Sequence, residues 1–194
     1  VQSRGGWFEG ATAAMSEVGG YSITVDDRRA YLLQVGEKAL IWIRLVAKGR
    51  AGHGSRLHDD NAVTKLAEAV AAIGRTRWPI RLTSTTRALL EGLSALSGRS
   101  VDDPDALASA AGPAEAFLRS SFRTTTNPTA LTAGYKHNVI PERAEALIDV
   151  RVIPGTEDDV LAELQQIVGD EIIIETVVRD IGMETPFEGE LVEA

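Results

Sequence analysis

The amino-acid sequence predicts an α+β fold of the split β-α-β kind: a four-stranded antiparallel sheet with two helices on one face, plus a helical insertion. The first observation is the order of elements. Once residues 75–121 are set aside, the segments read as strand, helix, strand, strand, helix, strand. The second is that each of the two helices has a single apolar stripe, which is typical of a helix packed against one face of a sheet.

The first half of the chain contains one strong strand and two weaker ones. Residues 21–25 alternate in the manner of a short strand, and residues 29–34 are expected to pair with the segment after Gly36. The strong strand is predicted at 39–48, where β-branched and aromatic residues are concentrated and polar positions alternate with aliphatic ones.

Two amphipathic helices are predicted. In residues 61–73 the apolar positions fall at i, i+3, i+7 and i+10, Asp59 or Asp60 can cap the start, and Gly74 is expected to end the helix. Residues 157–168 form the second helix, again with its apolar side chains on one face.

The remaining segments complete the pattern. Residues 75–121, rich in alanine and serine, are interpreted as a helical insertion that includes a helix at 84–96. Strands are predicted at 123–133, 144–153 and 172–179. The resulting order is ferredoxin-like, an arrangement that hosts many functions and names none by itself.

Composition excludes several classes of function. The chain has 194 residues, and 20 Lys and Arg against 28 Asp and Glu give a net charge of −8, which argues against binding a nucleic-acid backbone. Because cysteine is absent, disulfides, thiolate metal sites and cysteine catalysis are excluded. No apolar run approaches the ~20 residues of a membrane span, and the N-terminus has no apolar signal core, so a cytoplasmic location is expected.

Two loops contain residues suited to chemistry. In Gly52-His53-Gly54-Ser55 the glycines leave the imidazole uncrowded, so His53 can donate a hydrogen bond to a developing oxyanion. Asn138 and Arg151 stand at the entry to one strand and on the next, where an amide and a guanidinium can bind a carboxylate. Local evidence alone favours a surface histidine, a turn asparagine and a solvated arginine.

The other two histidines are not predicted to be functional. His53 and His58 are five residues apart in a loop and lack the i, i+4 spacing of a helix-borne zinc pair. His137 is interpreted as a turn residue.

The same two loops resemble signatures of a zinc metallohydrolase family. Residues 47–55 resemble its Gly-x-x-x-His-(Ala/Gly)-(Ser/Gly) signature, and residues 135–141 and 149–154 resemble its Asn-x-Ile-Pro and Asp-x-Arg-x-x-Pro block. This family includes aminoacylases, acetylornithine deacetylase, succinyl-diaminopimelate desuccinylase, and carboxypeptidases and dipeptidases of the carboxypeptidase G type. The two signatures occur in the order and at the strand ends that the family shows.

The resemblance implies a role for each candidate residue. In this family a catalytic domain holds two zinc ions, and an inserted β-α-β-β-α-β lid mediates dimerisation; the resemblance covers the lid. It implies that His53 reaches into the active site of the partner subunit and stabilises the tetrahedral intermediate. It also implies that Asn138 and Arg151 contact the substrate, Arg151 at its carboxylate, and that Glu17, before a glycine pair, is an acidic zinc ligand.

Other family motifs have no counterpart here: the His-x-Asp ligand pair, the paired glutamates and the C-terminal ligand histidine. The zinc ions are therefore expected to be ligated mostly by residues absent from this chain, which is expected to be inactive alone. We expect a lid at 37–180 with its insertion at 75–121, a remnant of the catalytic-domain edge and a linker at 1–36, and a linker at 181–194.

The resemblance implies a homodimer acting on small peptides or N-acyl amino acids. The alternative is a non-enzymatic ferredoxin-like module that dimerises or binds a small ligand. A nucleic-acid-binding version of the fold is less favoured, because stacking aromatics and basic strands are missing.

Overall fold

The elements below are those of a computed structural model, which describes residues 6, 9–15 and 20–193. In chain order the strands are β1 (Tyr21–Val25), β2 (Arg28–Leu32), β3 (Gly36–Glu37), β4 (Ala39–Lys48), β5 (Gly52–His53), β6 (Thr125–Ala133), β7 (Val139–Ile140), β8 (Arg143–Val152), β9 (Ile172–Arg179) and β10 (Met183–Glu184). The helices are α1 (Ala62–Arg75), α2 (Ser84–Ser97), α3 (Pro104–Ser109), α4 (Glu115–Ser121), α5 (Glu157–Val168) and α6 (Glu190–Glu193).

The predicted four-stranded sheet is confirmed. Its strands lie in the order β6-β8-β4-β9, and every neighbouring pair is antiparallel. The two central strands pair along their whole length, from Ala39 opposite Val152 to Lys48 opposite Arg143. With α1 after β4 and α5 after β8, the connections are those of the split β-α-β arrangement.

The main core lies between this sheet and the two helices. Alternate residues of β4 and β8 are fully buried, including Ile43 and Ile148, and they pack with Leu66 and Ile73 of α1 and Leu164 of α5. Each buried aliphatic side chain of this size contributes roughly 1.5–3 kcal/mol. The sheet therefore has one face covered by helices, and Trp42 on its other face is 45% exposed.

Helix α1 forms where it was predicted, but the residues predicted to cap it and to end it are wrong. The side chain of Asn61 accepts a hydrogen bond from the backbone N–H of Val63 at 2.9 Å, so Asn61 caps the helix instead of Asp59 or Asp60. At the other end the helix continues through Gly74 to Arg75, and it ends where the N–H of Thr76 bonds to the carbonyl of Ile73.

The pairing predicted for residues 29–34 is also wrong. Strand β2 pairs with β1 in a hairpin, Tyr21 opposite Leu32, across a turn in which Asp26 has a φ of 52°. The segment after Gly36 pairs elsewhere, because β3 lies against β10. The segment that precedes β4 and the segment that follows β9 are thus hydrogen-bonded to each other.

A second core lies beneath the insertion. Helices α2, α3 and α4 pack with the β1–β2 hairpin, and the buried side chains come from both segments. They include Val25, Leu90, Leu93, Leu107, Leu118 and Phe122. The hairpin and the insertion are therefore one packed unit at the β3–β10 end of the sheet.

No helix among the described residues is long and apolar enough to cross a membrane.

Candidate functional site

His53 and Asn138 lie side by side at one end of the sheet. Strand β5 pairs with β7, His53 opposite Val139, and the N–H of Gly54 donates to the carbonyl oxygen of Asn138 at 2.9 Å. The side chains of His53 and Asn138 are both exposed. The structure thus brings together two of the three residues predicted to contact a substrate or intermediate.

Two glycines hold the His53 loop close to neighbouring groups. A Cβ at Gly49 would lie 2.5 Å from the carbonyl oxygen of Asp60, which leaves no room for a side chain. A Cβ at Gly52 would lie 3.0 Å from the imidazole of His58. The loop is therefore packed against its own return to α1, and His53 projects from it.

The contacts of His53 define its hydrogen-bonding character. The backbone N–H of Ser55 donates to Nδ1 at 3.3 Å, and the Ser55 hydroxyl lies 2.9 Å from the same atom. Since Nδ1 accepts a hydrogen bond, the neutral imidazole carries its proton on Nε2. His53 therefore presents an N–H donor from an exposed loop, the group that an oxyanion needs.

Arg151 lies at the opposite end of the sheet. It pairs with Leu40 near the start of β4, whereas the His53 loop follows the end of β4. Arg143 and Arg151 are eight residues apart on β8, which corresponds to about 26 Å along an extended strand. One chain therefore does not bring Arg151 to His53 and Asn138.

Arg151 is held by a carboxylate. Its Nε donates to Asp149 Oδ1 at 2.7 Å and its Nη2 to Oδ2 at 3.0 Å, and Trp42 Nε1 donates to the same Oδ2 at 3.1 Å. The hydrogen bonds from Arg151 lower the pKa of Asp149 below its ordinary value, and those bonds raise the pKa of Arg151. The guanidinium is thus fixed in orientation and charged, as recognition of a carboxylate requires.

Sequence reasoning missed Lys38, which lies beside Arg151. Its ammonium group donates to the carbonyl oxygens of Ser120 at 2.8 Å and Arg123 at 3.1 Å. Burial, followed by the nearby charge of Arg151, lowers the pKa of Lys38 to about 8. The sequence does place this lysine directly before the strand predicted at 39–48. A lysine next to a buried strand is expected to be partly desolvated.

The described residues do not fit a zinc centre. Glu17, the predicted metal ligand, lies outside the described residues. Within residues 6, 9–15 and 20–193, no group of three or more His, Asp or Glu side chains is placed to hold a metal ion. His58 is engaged elsewhere, since its Nδ1 accepts from the N–H of Asp60 and its ring packs on Gly52.

The fold and these residues define a class: an α+β domain of ferredoxin-like topology that presents polar side chains at both ends of its sheet. Residues 35–174 match the model of the peptidase dimerisation domain family, and the chain belongs to that family.

Three relatives match much of this chain. It is 31% identical over 150 residues to the human N-fatty-acyl-amino acid synthase/hydrolase PM20D1, covering 72% of this chain and 30% of that protein. It is 29% identical over 149 residues to a probable carboxypeptidase S-like 2 of Dictyostelium discoideum, covering 71% and 28%. For the aminoacylase-1 of Pongo abelii the identity is 28% over 131 residues, covering 66% and 24%. The chain thus spans less than a third of each relative.

A solved structure shares the fold. The M20 family metallo-carboxypeptidase Sso-CP2 from Sulfolobus solfataricus superposes with a TM-score of 0.53 at 18% identity, over 82% of this chain and 47% of that one.

Proposed function

We propose that this chain is the dimerisation and substrate-binding lid of a zinc-dependent peptidase or amidohydrolase that cleaves small peptides or N-acyl amino acids. In this proposal His53 acts in the active site of the partner subunit. The observation that carries the proposal is the placement of His53 and Arg151 at opposite ends of one sheet. Membership of the peptidase dimerisation domain family supports the dimeric part.

The connections of the sheet to the rest of the chain support the action of His53 across the dimer. Strands β3 and β10 pair at the Arg151 end, so the chain enters and leaves the four-stranded sheet there. A catalytic domain attached through these segments lies nearer to Arg151 than to His53, whose loop follows the opposite end of β4. In a two-fold dimer, His53 is then available to the other subunit's catalytic centre.

Each residue has a distinct role in the proposed reaction. The Nε2–H of His53 stabilises the oxyanion that forms when the amide carbonyl is attacked, and Asn138 beside it orients the same group. At the other end of the sheet, Arg151 binds the free carboxylate of the substrate with the N–H groups that Asp149 leaves available.

In this proposal zinc binds to a part of the enzyme that lies outside the described residues. We propose that its ligands are mostly in the catalytic domain of a longer protein, with Glu17 as one of them. When bound, zinc would polarise the scissile carbonyl and activate water. In this proposal residues 37–180 form the lid, while residues 1–36 and 181–194 connect it to the catalytic domain.

The surface proposed for dimerisation is the side formed by β6 and α1. Strand β6 is a sheet edge whose residues 127–132 are exposed, and its pairing with β8 shifts register between Pro128 and Ala130. The outer face of α1 carries small residues such as Ala67 and Ala71, which allow close approach. On the opposite side α5 begins with three acidic residues, so two copies meeting there would repel each other.

The test is the substitution His53→Ala in the longer protein that contains this chain. Turnover of an N-acyl amino acid is expected to fall by about 100-fold or more, the effect of removing one oxyanion donor. Zinc content should not change. The control is His137→Ala, another exposed loop histidine with no proposed role, which should keep full turnover. Full turnover in His53→Ala would overturn the proposal.

A further inference from the structure

A cavity of about 580 Å³ lies at the Arg151 end of the sheet, between the insertion and the β1–β2 hairpin. Its walls come from α2, α4, β2 and the segment 33–38, and Arg151 and Thr125 line its sheet side. The volume falls within the roughly 300–1,000 Å³ typical of small-molecule sites. Of the residues that line it, the mechanism proposed above uses only Arg151.

The walls and mouth of the cavity are mostly apolar. Helix α2 contributes Leu89, Leu93 and Leu96, which lie on neighbouring turns. Five large apolar side chains at the cavity are between 46% and 74% exposed: Tyr21, Tyr31, Leu33, Phe117 and Phe187. Exposed apolar groups gathered around a concave surface are typical of a binding site for an apolar ligand.

The two basic side chains that line the cavity, Lys38 and Arg151, lie beside each other, and Arg151 is already paired with Asp149. Lys38 bonds to two carbonyl oxygens, and within the described part of the chain no carboxylate lies within salt-bridge distance of it. The two acidic residues that also line the cavity are Glu37 and Glu184, and Glu184 accepts a hydrogen bond from Ser84 at 2.8 Å. An anionic group beside Lys38 would offset the cost of burying its ammonium.

Gly92 lines the cavity without contributing a side chain. It lies inside α2, where glycine destabilises a helix by about 1 kcal/mol relative to alanine. Its backbone does not need glycine, since its φ is not positive, and no atom lies within 4 Å of the position a Cβ would take. A larger side chain at this position would extend into the cavity.

We propose that this cavity binds the apolar acyl chain of a ligand whose carboxylate lies beside Lys38 and Arg151. The ligand class is an unbranched acyl chain joined to an amino acid. Identifying this ligand as a substrate rests on the function proposed above, whereas the binding does not. In this proposal α2 and the β1–β2 hairpin determine a selectivity for ligands with long acyl chains.

The test is calorimetric titration of this 194-residue chain with N-dodecanoylglycine below its micelle concentration. Saturable binding is expected, at least about tenfold tighter than binding of N-acetylglycine, because the longer chain buries many more methylene groups. Gly92→Leu should weaken the binding of N-dodecanoylglycine by at least about tenfold, with an unchanged or higher melting temperature.

The matched control is Gly74→Leu. Gly74 is also helical, also has no atom within 4 Å of a Cβ, and lies in α1, away from the cavity. This variant should bind N-dodecanoylglycine like the unmodified chain. Absence of saturable binding by the unmodified chain would overturn the proposal, as would equal binding by Gly92→Leu.

These outcomes separate the cavity from the proposed enzyme. If the chain binds N-dodecanoylglycine through Gly92 but His53→Ala keeps full turnover in the longer protein, the cavity stands and the catalytic role of His53 fails. If His53→Ala abolishes turnover but the chain does not bind the long-chain ligand, only the cavity proposal fails.

Discussion

Asp149 and Arg151 lie two residues apart on β8 and are joined by two hydrogen bonds, at 2.7 and 3.0 Å. Alternate residues of a strand share a face, so the carboxylate stands directly beside the guanidinium. Trp42 donates to the same carboxylate from the neighbouring strand. Arg151 is therefore oriented before any ligand arrives.

The substitution Asp149→Asn is expected to lower the free energy of unfolding by about 1 kcal/mol at pH 7, because a charged and partly buried hydrogen-bond acceptor is lost. The pKa of Asp149 lies below its ordinary 3.8, chiefly through the Arg151 hydrogen bonds. The stabilisation should therefore be complete above pH 3.8 and be lost as pH falls through the lower folded-state pKa.

Urea unfolding at several pH values measures this difference. The control is Glu163→Gln on the exposed face of α5, which removes a carboxylate that forms no ion pair among the described residues. A difference between Asp149→Asn and the unmodified chain that persists unchanged well below pH 3 would contradict the assignment.

Mixing two inactive variants of the longer protein tests whether one lid serves two active sites. If His53 acts in the partner's site and Arg151 in its own, dimers of His53→Ala and of Arg151→Ala are each inactive. Mixed dimers contain one site with both residues intact. Co-refolding equal amounts should restore about a quarter of the unmodified rate, since half of the dimers are mixed and each has one complete site.

The measurement is turnover after co-refolding, with each variant refolded alone as the reference. If His53 and Arg151 of the same subunit formed one site, each site of a mixed dimer would lack one of the two residues, and no mixed dimer would contain a complete site. Activity that stays at the level of the separate variants, despite mixed dimers shown by mass spectrometry, would thus rule out the divided arrangement.

The proposed dimer surface can be tested by replacing one exposed alanine on α1 and, as a control, one on α5. Ala67 lies on the exposed face of α1, and Ala67→Arg introduces bulk and charge where two copies are proposed to meet. The variant is expected to sediment as a monomer at concentrations where the unmodified chain is dimeric. Ala162→Arg on the exposed face of α5 should leave the dimer intact. The reverse result would place the interface on the α5 side.

The buried ammonium of Lys38 predicts an unusual alkaline dependence of stability. Its pKa is lowered from 10.5 to about 8 by burial and by the charge of Arg151. Between these values the unfolded chain binds a proton that the folded chain does not, so stability rises with pH. The unfolding free energy of the unmodified chain, minus that of Lys38→Met, should be constant below pH 8 and increase from pH 8 to 10.5. A decrease over that range would show that the folded state favours the charged form.

The sheet and its two helices could be predicted because their patterns are local. Alternation in β4 and the apolar stripe of α1 each follow from burial on a single face. The cap of α1 could not be predicted, because Asp59, Asp60 and Asn61 are all good capping residues. In the folded chain, Asp59 pairs with Arg50 and Asp60 with Lys65, which leaves Asn61 to cap the helix.

The candidate site was only partly accessible from the sequence. The motifs around His53 and Asn138 indicated functional loops, and the pairing of β5 with β7 brings these loops together. Arg151 lies far from these loops because β8 runs away from them. The motifs alone do not indicate the direction of this strand. Lys38 and the cavity were missed because they arise where the hairpin meets the insertion, two segments about 60 residues apart that show no pattern linking them.

The shared core of the hairpin and the insertion also determines where this domain can be cut. A chain started at residue 35, where the match to the family model begins, would keep α2, α3 and α4 but lose Ile23 and Val25 from beneath them. Leu90, Leu93 and Phe122 would then face water, and such a shortened protein would tend to aggregate. The smallest stable unit of this chain therefore begins ahead of residue 21, and insertion and hairpin are expected to change together among related proteins.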